Sequence, residues 1–574
     1  MTQRPLLKWV YRESGEKVAF IEESGFTVPV RQLLHSRGFG SREEMDDFLD
    51  PRLKQLTDPF LLPGMTAAVE EIHSAIVQKK KMVVFGDYDV DGVTSTALLV
   101  QVLSRLGGQV HPFLPHRMEE GYGLNLEALK RCWEEYQPQV VIAVDCGTSS
   151  VSEVAWINEL GARVIIIDHH EPAQSLPAAV ALVNPKVANT GADATYFCTV
   201  GLCFKLVHAL LKKLISAGTS QSALPDLRSF LDLVALGTVA DLVPLIKENR
   251  IFVKAGLKTL EQSENLGLRH LIRVSAIKPP FSSDDVGFRI GPRLNASGRL
   301  ESAMESLELL LADDNEKAAF LAQSLNDHNS SRQAIEKRIY QEALDALSTQ
   351  YDPDRDFVIV LSRPDWHIGV VGIVASRIMR VTARPAIVIG FDKDGQGKGS
   401  CRSIDGFNIV TALETCSVHL VKFGGHPMAA GISITAGAID DFRRGINVCA
   451  RALLNQDDLV HRLKVDVQLS LDEVTPALLE ELTRLEPFGK SNPSPVFYCK
   501  NVALARTPNI VGKNHLKFSF SRGSGSIDGI CFNWGQSPVP HGFVDIAFVP
   551  QWEEFNGRRS IQLLILDVRE TTGH

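Results

Sequence analysis

The sequence predicts an α/β chain of several domains organised around a parallel β-sheet, and three observations carry that prediction. From about residue 65 to 250, short and wholly apolar runs alternate with helical patterns. Strands of that kind are buried on both faces, which is the setting of a parallel sheet. Residues 301 to 352 contain no glycine or proline and carry a helical apolar period, which predicts one or two long helices joining two lobes. From about residue 460 the pattern changes to short strands separated by turns, predicting a small β-barrel of the OB type. At 574 residues the chain is also too long for one core.

Composition narrows the class. A hydrophobic fraction of 44% and a charged fraction of 22% suit an ordinary soluble globular protein. No apolar run reaches transmembrane length, and the charged opening MTQRPLLKWVYRESGEK does not read as a signal peptide. Nine cysteines, scattered and with no C-x-x-C pair, argue against a disulfide framework and against structural zinc. They point to a reducing, cytoplasmic compartment. The net charge of −8 argues against a generic DNA-coating protein, which would be basic, so any nucleic-acid reading must come from particular residues.

Taken in order, residues 1–60 read as an N-terminal extension of short helices broken by Pro51 and Pro59, with Pro63 just beyond, whose apolar residues are expected to cover the next domain. Residues 61–300 form the sheet domain, with strands expected at 82–85, 139–144, 163–167 and 180–183 and a helix at 151–160 closed by Gly161. Residues 301–352 are the connecting helices. Residues 353–456 resume an α/β pattern, with strands at 357–361 and 386–389 around a helix at 370–381. Residues 457–574 carry the barrel strands, expected at 495–505, 516–521, 525–531, 544–550 and 560–568.

The chemistry gathers where the apolar strands end. Residues 85–95 read FGDYDVDGVTS, with Asp87, Asp89 and Asp91 at alternating positions directly after an apolar run. In extended backbone they would project together from the strand end. Carboxylates that close repel one another unless a cation or a proton intervenes. A second run ends in Asp145, and a third in Asp168, His169 and His170. Working residues of parallel sheets lie at such carboxyl ends. Asp241 sits among apolar residues in LVALGTVADLVPL, where an unpartnered carboxylate is costly to bury. Asp87, Asp89, Asp91, Asp145, His169 and Asp241 therefore form a candidate ligand set. Its mix of carboxylate and imidazole suits manganese better than calcium, with magnesium as a substitute. The carboxylates outnumber the needs of one ion. Two ions about 3.5–4 Å apart would use them all, an arrangement suited to phosphodiester hydrolysis. Each residue also has a plainer reading: a solvated turn for the triad, a helix N-cap for Asp145, structural histidines, and a core salt bridge for Asp241. An EF-hand is excluded, since its twelfth position, counted from Asp87, is Leu98.

In this order FGDYDVDG, VDCG, DHH and GTVAD resemble the four motifs of the DHH phosphoesterases. RGFGSREEMDDFLDP, PHRMEEGYGL, GFRIGPRLNASGRL, WHIGVVGIVASRI, FGGHPMAAG and LEPFGKSNPSPVF extend the likeness over nearly the whole chain. There the sequence is similar to the RecJ family of single-strand-specific exonucleases. The resemblance implies a DHH domain, connecting helices, a DHHA1 α/β domain and a C-terminal OB-like barrel. It implies stepwise hydrolysis of single-stranded DNA from the 5′ end, release of 5′ mononucleotides, two manganese or magnesium ions, and a role in recombination and repair. By motif, Asp87, Asp89, Asp91, Asp145, His169 and Asp241 would hold the metals, His170 would touch the scissile phosphate, and Asp168 would orient a histidine.

The same resemblance assigns Ser400, Arg402, Ser403 and His426 to phosphate contacts in the DHHA1 lobe, where glycines let backbone approach closely. Arg117, Arg289, Arg293, Asn295 and Arg299 would grip DNA phosphates or the 5′ end, the alternative being interdomain salt bridges. Lys513, His515, Lys517, Trp552, Phe555, Arg558 and Arg559 are candidates for strand binding on the barrel, with core packing as the alternative. Core packing is the expectation for Trp366, and His367 shares that alternative. Cys401 stands where such sequences carry a small residue and is expected to alter local packing only. A monomer is expected, with no membrane contact. A single-strand-binding protein and a recombination helicase are the partners implied. Two competing functions stay open. One is a DHH enzyme acting on oligoribonucleotides, cyclic dinucleotides or pyrophosphate. The other is a non-catalytic replication scaffold, which should have lost its ligands.

Overall fold

The computed structural model describes residues 7–13, 15–116, 120, 123–187, 194–392, 394–512, 514–534, 537–555 and 557–571, with the side chains of Gln350 and Phe555 left aside. The chain folds into two compact units, one of Asp46–Arg332 with Glu486–Pro493, the other of Met1–Met45, Gln333–Leu485 and Ser494–His574.

In the first unit, five parallel strands lie in the order Gln109–Phe113, Lys81–Phe85, Val140–Val144, Arg163–Ile167 and Ala181–Val183. The strand residues alternate between two cores, as a pleat requires. Met82, Val84, Val140, Ile142, Val144, Ile165 and Ile167 pack on the face of helices Val90–Arg105, Thr199–Ser216 and Leu231–Ala240. Val83, Phe85, Val141, Ala143 and Ile166 pack on the other face, against helices Leu126–Tyr136 and Val151–Glu159. The strand Gln109–Phe113 is additional to those expected. Its sequence QVHPF lacks an apolar run because it is a sheet edge, half exposed, where Pro112 is tolerated without an amide donor.

The second unit holds a five-stranded mixed sheet, ordered Lys422–His426, Ala429–Ile434, Gly397–Arg402, Ala386–Phe391, Ile359–Ser362. Only its last two strands are parallel. Gly397–Arg402 and Lys422–His426, which overlap the expected phosphate-contact stretches GSCRS and FGGHPMAAG, are strands whose glycines hide the β signal. The C-terminal strands form one sheet in the order Val467–Gln468, Phe497–Ala503, Phe543–Phe555, Arg558–Glu570, Gly525–Cys531, His515–Arg522, Asn509–Val511. An antiparallel bridge from Leu504 to Phe520 curls it into a barrel.

The N-terminal extension divides: residues 46–60 lie in the sheet-domain unit, where Leu53, Leu56 and Phe60 pack on its core as expected, and the rest departs from expectation. Residues up to Met45 belong to the second unit. Strand Lys8–Tyr11 pairs in parallel with Arg462–Val465, Trp9 Nε1 donates to Asp567 at 2.7 Å, and Glu481 accepts from Thr27 Oγ1 at 2.6 Å. Hydrogen bonds to distant partners, invisible in a local apolar pattern, decide where this segment packs. Helices Met304–Leu311 and Asn315–Gln350 occupy the expected connecting stretch. Among the described residues, no helix is long and apolar enough to cross a membrane.

Candidate metal centre

The acidic motif does not work by strand alternation. Asp87 follows the strand Lys81–Phe85, but Asp89 is the N-cap of helix Val90–Arg105 and Asp91 lies in its first turn. Asp89 Oδ1 accepts from the amides of Asp91 at 2.9 Å and Gly92 at 3.2 Å. Gly92 is required there, because a Cβ would stand 2.4 Å from the Asp87 carbonyl oxygen. Asp91 is bound on both oxygens by the start of helix Thr199–Ser216, from Thr199 N at 2.7 Å and Val200 N at 2.8 Å. An N-terminus is where a helix offers free amides to a carboxylate.

Asp145 ends the strand Val140–Val144 with φ of 64°, a left-handed conformation of the kind that functional sites hold against strain. It is not a helix N-cap; Ser150 has that position. Thr199 Oγ1 donates to Asp145 Oδ1 at 2.9 Å. Asp241 is the C-cap of helix Leu231–Ala240 and partly open to solvent, so its burial among the apolar residues around it is incomplete.

These groups converge. His169 Nε2 lies 3.9 Å from Asp91 Oδ2, 3.5 Å from Asp145 Oδ1 and 3.5 Å from Asp241 Oδ2. Donor atoms of Asp91, His169 and Asp241 fall within 4.8 Å of one another, as do those of Asp87, Asp89 and Asp145, and those of Asp145, His169 and His170. The three donor sets thus adjoin, with His169 shared by two of them and Asp145 by two. Asp87, Asp91, Asp145 and Asp168 are 1–2% exposed. Burial first, and neighbouring aspartates second, push the carboxyls of Asp87 and Asp241 up to about 8 and that of Asp91 to about 7, and raise Asp145 well above the ordinary carboxylate range. Asp87 Oδ1 and Asp241 Oδ2 are buried oxygens that accept no hydrogen bond from the described residues. Oxygens held bare, beside an imidazole and at mutual repulsion, fit divalent cations of the manganese and magnesium type.

Asp168 does a different job. Its Oδ1 accepts from the His169 amide at 2.7 Å and the His170 amide at 3.1 Å and pairs with His170 Nδ1 at 2.7 Å, while Oδ2 accepts from Thr148 N at 3.0 Å. Burial would raise this carboxyl, but the hydrogen bonds from His170 and Thr148 overcome it and hold it below the ordinary range. Burial pulls His170 down, yet Asp168 raises it to about 9. In the metal-free site this favours the protonated imidazole at neutral pH.

Sequence reasoning did not single out Thr199, Thr148 or Asn184. Asn184 Nδ2 donates to Thr148 Oγ1 at 3.0 Å and to the His170 carbonyl at 2.9 Å. It follows the apolar strand Ala181–Val183, so the same strand-end signal that marks the aspartates marks it too. Thr199 carries no such signal, because its role depends on where a distant helix starts.

Arg289 lies on the π-helical turn Val286–Ile290, with Arg293, Asn295 and Arg299 on helix Gly291–Leu300. Added methyls at Gly291 and Gly298 would stand 3.7 Å from Ala240 Cβ and 3.1 Å from the Tyr88 carbonyl, so this helix runs alongside the centre. Arg289 pairs with Asp285 at 3.9 Å, and Arg293 donates to Asn326 at 3.0 Å. Arg117 and Lys513 lie outside the described residues.

In the second unit, Arg402 donates to Ser400 Oγ at 2.9 Å and Ser376 Oγ at 3.1 Å, and the strand register sets His426 and Arg402 on either side of Ala429. Ser403 is buried, with its hydroxyl given to the Phe407 carbonyl. His515 Nδ1 accepts from Asn533 N at 3.1 Å, Lys517 pairs with Asp528 at 3.1 Å, Arg558 is exposed, and Arg559 stacks over Trp552 at 4.0 Å. Trp366 is core, 1% exposed, and Cys401 packs in the core of the mixed sheet. His367 is half-buried, its Nδ1 accepting from Gly369 N at 3.1 Å.

Known proteins share this arrangement. Residues 81–238 match the DHH family N-terminal domain, residues 355–452 the DHHA1 domain, and residues 465–567 the RecJ OB domain. The chain is 37% identical over 569 residues to the single-stranded-DNA-specific exonuclease RecJ of Bacillus subtilis, covering 98% of this chain and 70% of that one. It is 38% identical to the protein of that name from Dickeya dadantii, over 93% of this chain and 95% of that one. The crystal structure of RecJ in complex with Mn2+ from Thermus thermophilus superposes with a TM-score of 0.85 at 30% identity, covering 99% of this chain and 80% of that one. With three domains matched in order and kinship running nearly end to end, the chain belongs to the RecJ exonuclease family.

Proposed function

We propose that this chain is a single-stranded-DNA-specific exonuclease that hydrolyses phosphodiester bonds with two divalent ions, manganese or magnesium. The observation that carries this is the convergence of Asp91, Asp145, Asp241 and His169 beside Asp87 and Asp89, with buried oxygens left bare. Family membership supports the substrate. Asp91, Asp145, His169 and Asp241 would hold one ion, and Asp87, Asp89 and Asp145 the other. When bound, the ions supply charge stabilisation on the phosphoryl oxygens and activation of the attacking water.

The protein's own groups do the rest. Thr199 and the amides at its helix start hold Asp91 and Asp145 in place. The Asp168–His170 pair presents a fixed cation suited to a non-bridging phosphate oxygen. The helix carrying Arg293, Asn295 and Arg299 lies where a strand would approach the centre. Digestion from the 5′ end, release of 5′ mononucleotides and a place in recombination and repair complete the proposal. So do a monomeric state, the cytoplasm as compartment, and partnership with a single-strand-binding protein and a recombination helicase.

The test is degradation of single strands labelled at either end, with and without manganese or magnesium. Loss of the 5′ label as mononucleotide, only with metal, is expected. Asp145→Ala should keep the fold and lose activity. A variant that digests at the parent rate refutes the ligand assignment, and a preference for dinucleotides over long strands refutes the substrate.

A further inference from the structure

The motif LEPFGKSNPSPVF holds no metal ligand, yet its stretch Glu486–Pro493 is packed into the unit of Asp46–Arg332. The docking is specific. Arg250, 1% exposed, donates from Nη2 to the Glu486 carbonyl at 2.6 Å, from Nη1 to the Pro487 carbonyl at 3.2 Å, and from Nε to the Phe48 carbonyl at 2.6 Å. Ser283 Oγ donates to the Phe488 carbonyl, and Asn492 Nδ2 to the Pro487 carbonyl at 2.8 Å. Leu245 N donates to the Lys490 carbonyl at 2.9 Å. A methyl on Gly489 would stand 2.6 Å from Leu245 Cδ1, so the strap lies hard against that residue. Leu245 ends the loop that starts at Asp241 and turns through Leu242 at φ of 57°.

The strap therefore fixes one lysine beside the loop that bears a metal-site carboxylate. Lys490 is exposed, and its ammonium has no ion-pair partner among the described residues. The backbone that carries this lysine is held by a buried guanidinium, a serine, an asparagine and a main-chain hydrogen bond. A compact, unpaired ammonium at that place is suited to a phosphate as a point charge.

We infer that Lys490 is a substrate contact: its ammonium binds a backbone phosphate of the DNA strand on the Asp241 side of the metal centre, held there by the strap Glu486–Pro493. The inference rests on the exonuclease reading above.

The test is binding of a labelled oligo-dT strand by fluorescence anisotropy, in EDTA at pH 7 so that no cleavage occurs, across a potassium chloride series. Parent, Lys490→Ala and Lys490→Arg are compared as full chains, and the manganese-induced rise in melting temperature is measured for each. One lost phosphate contact lowers the slope of log affinity against log salt by about 0.7. Lys490→Ala is expected to show that change and severalfold weaker binding at low salt. Lys490→Arg should keep the parent slope, and the manganese shift should be equal in all three. An unchanged slope and affinity in Lys490→Ala overturns the inference alone. Loss of the manganese shift in Lys490→Ala also overturns it, by showing that the residue acts through the Asp241 loop. A parent that binds no single strand refutes the exonuclease reading and the inference with it.

Discussion

The carboxylate cluster makes a quantitative demand on stability. Unfolded, Asp87, Asp91 and Asp241 ionise near 3.8; folded, they hold their protons up to about 8, about 7 and about 8, because burial and mutual repulsion oppose ionisation. Between those values the native state binds more protons than the unfolded one, so stability falls as pH rises through the window from about 4 to about 8 and levels off above it. A tenfold change in proton affinity is worth about 1.4 kcal/mol. Ionising any one of the three in the metal-free fold therefore costs roughly 4–6 kcal/mol at alkaline pH. The groups titrate as one system, so their penalties do not simply add. Of that cost, roughly 2–3 kcal/mol per group falls between pH 5.5 and pH 8.5, so at about 2 °C per kcal/mol for a large unit the metal-free protein should melt at least about 5 °C lower at pH 8.5 than at pH 5.5. Manganese or magnesium should restore most of that, because a cation removes the repulsion and competes with the protons. The assay is thermal unfolding after EDTA treatment, with and without added metal, for the parent and for Asp87→Asn with Asp241→Asn. The double variant should show a flatter metal-free profile and a smaller metal shift. A metal shift no larger at pH 8.5 than at pH 5.5, or a double variant with the parent profile, would refute the electrostatic account.

Two further outcomes follow from the groups around the cluster. Thr199→Val removes the hydroxyl that donates to Asp145 but keeps the amides on Asp91, so manganese affinity measured by calorimetry should fall about 10- to 100-fold with melting temperature in EDTA nearly unchanged. Asp168→Asn takes away the partner that raises His170 to about 9, so the alkaline limb of the kcat profile should move to lower pH, with activity near pH 6 least affected; an unmoved limb would remove His170 from the proton inventory of the reaction.

The sequence revealed the sheet domain and the barrel because both write periodic signals. Fully buried strands such as Val140–Val144 read as unbroken apolar runs, and an acid directly after the run marks the carboxyl edge. What stayed hidden is explained residue by residue. Gln109–Phe113 is an edge strand and has no such run. Gly397–Arg402 and Lys422–His426 form strands despite glycines, since pairing with Ala429–Ile434 outweighs local propensity. The placement of residues 7–45 depends on Trp9 finding Asp567 and Thr27 finding Glu481, partners hundreds of positions away. At the site, the aspartates were legible as a set, but their geometry was not. Asp91 belongs to a helix, and its orientation comes from Thr199 and Val200, more than a hundred residues later.

The charge balance of the centre explains how an acidic chain can act on a polyanion. Five aspartates, Asp87, Asp89, Asp91, Asp145 and Asp241, face two histidines. Two divalent ions with a protonated His170 would offset those aspartates and leave the cavity near neutral. In the metal-free protein at pH 7, retained protons on the raised carboxyls do part of the same work. In neither state does the centre itself supply a strong positive field. Attraction of the strand must then come from cations outside the centre, for which Arg289, Arg293 and Lys490 are the residues proposed in this unit, while the chemistry would come from the ions within. On the proposed assignments grip and chemistry would be carried by separate residues, and a net charge of −8 is compatible with both.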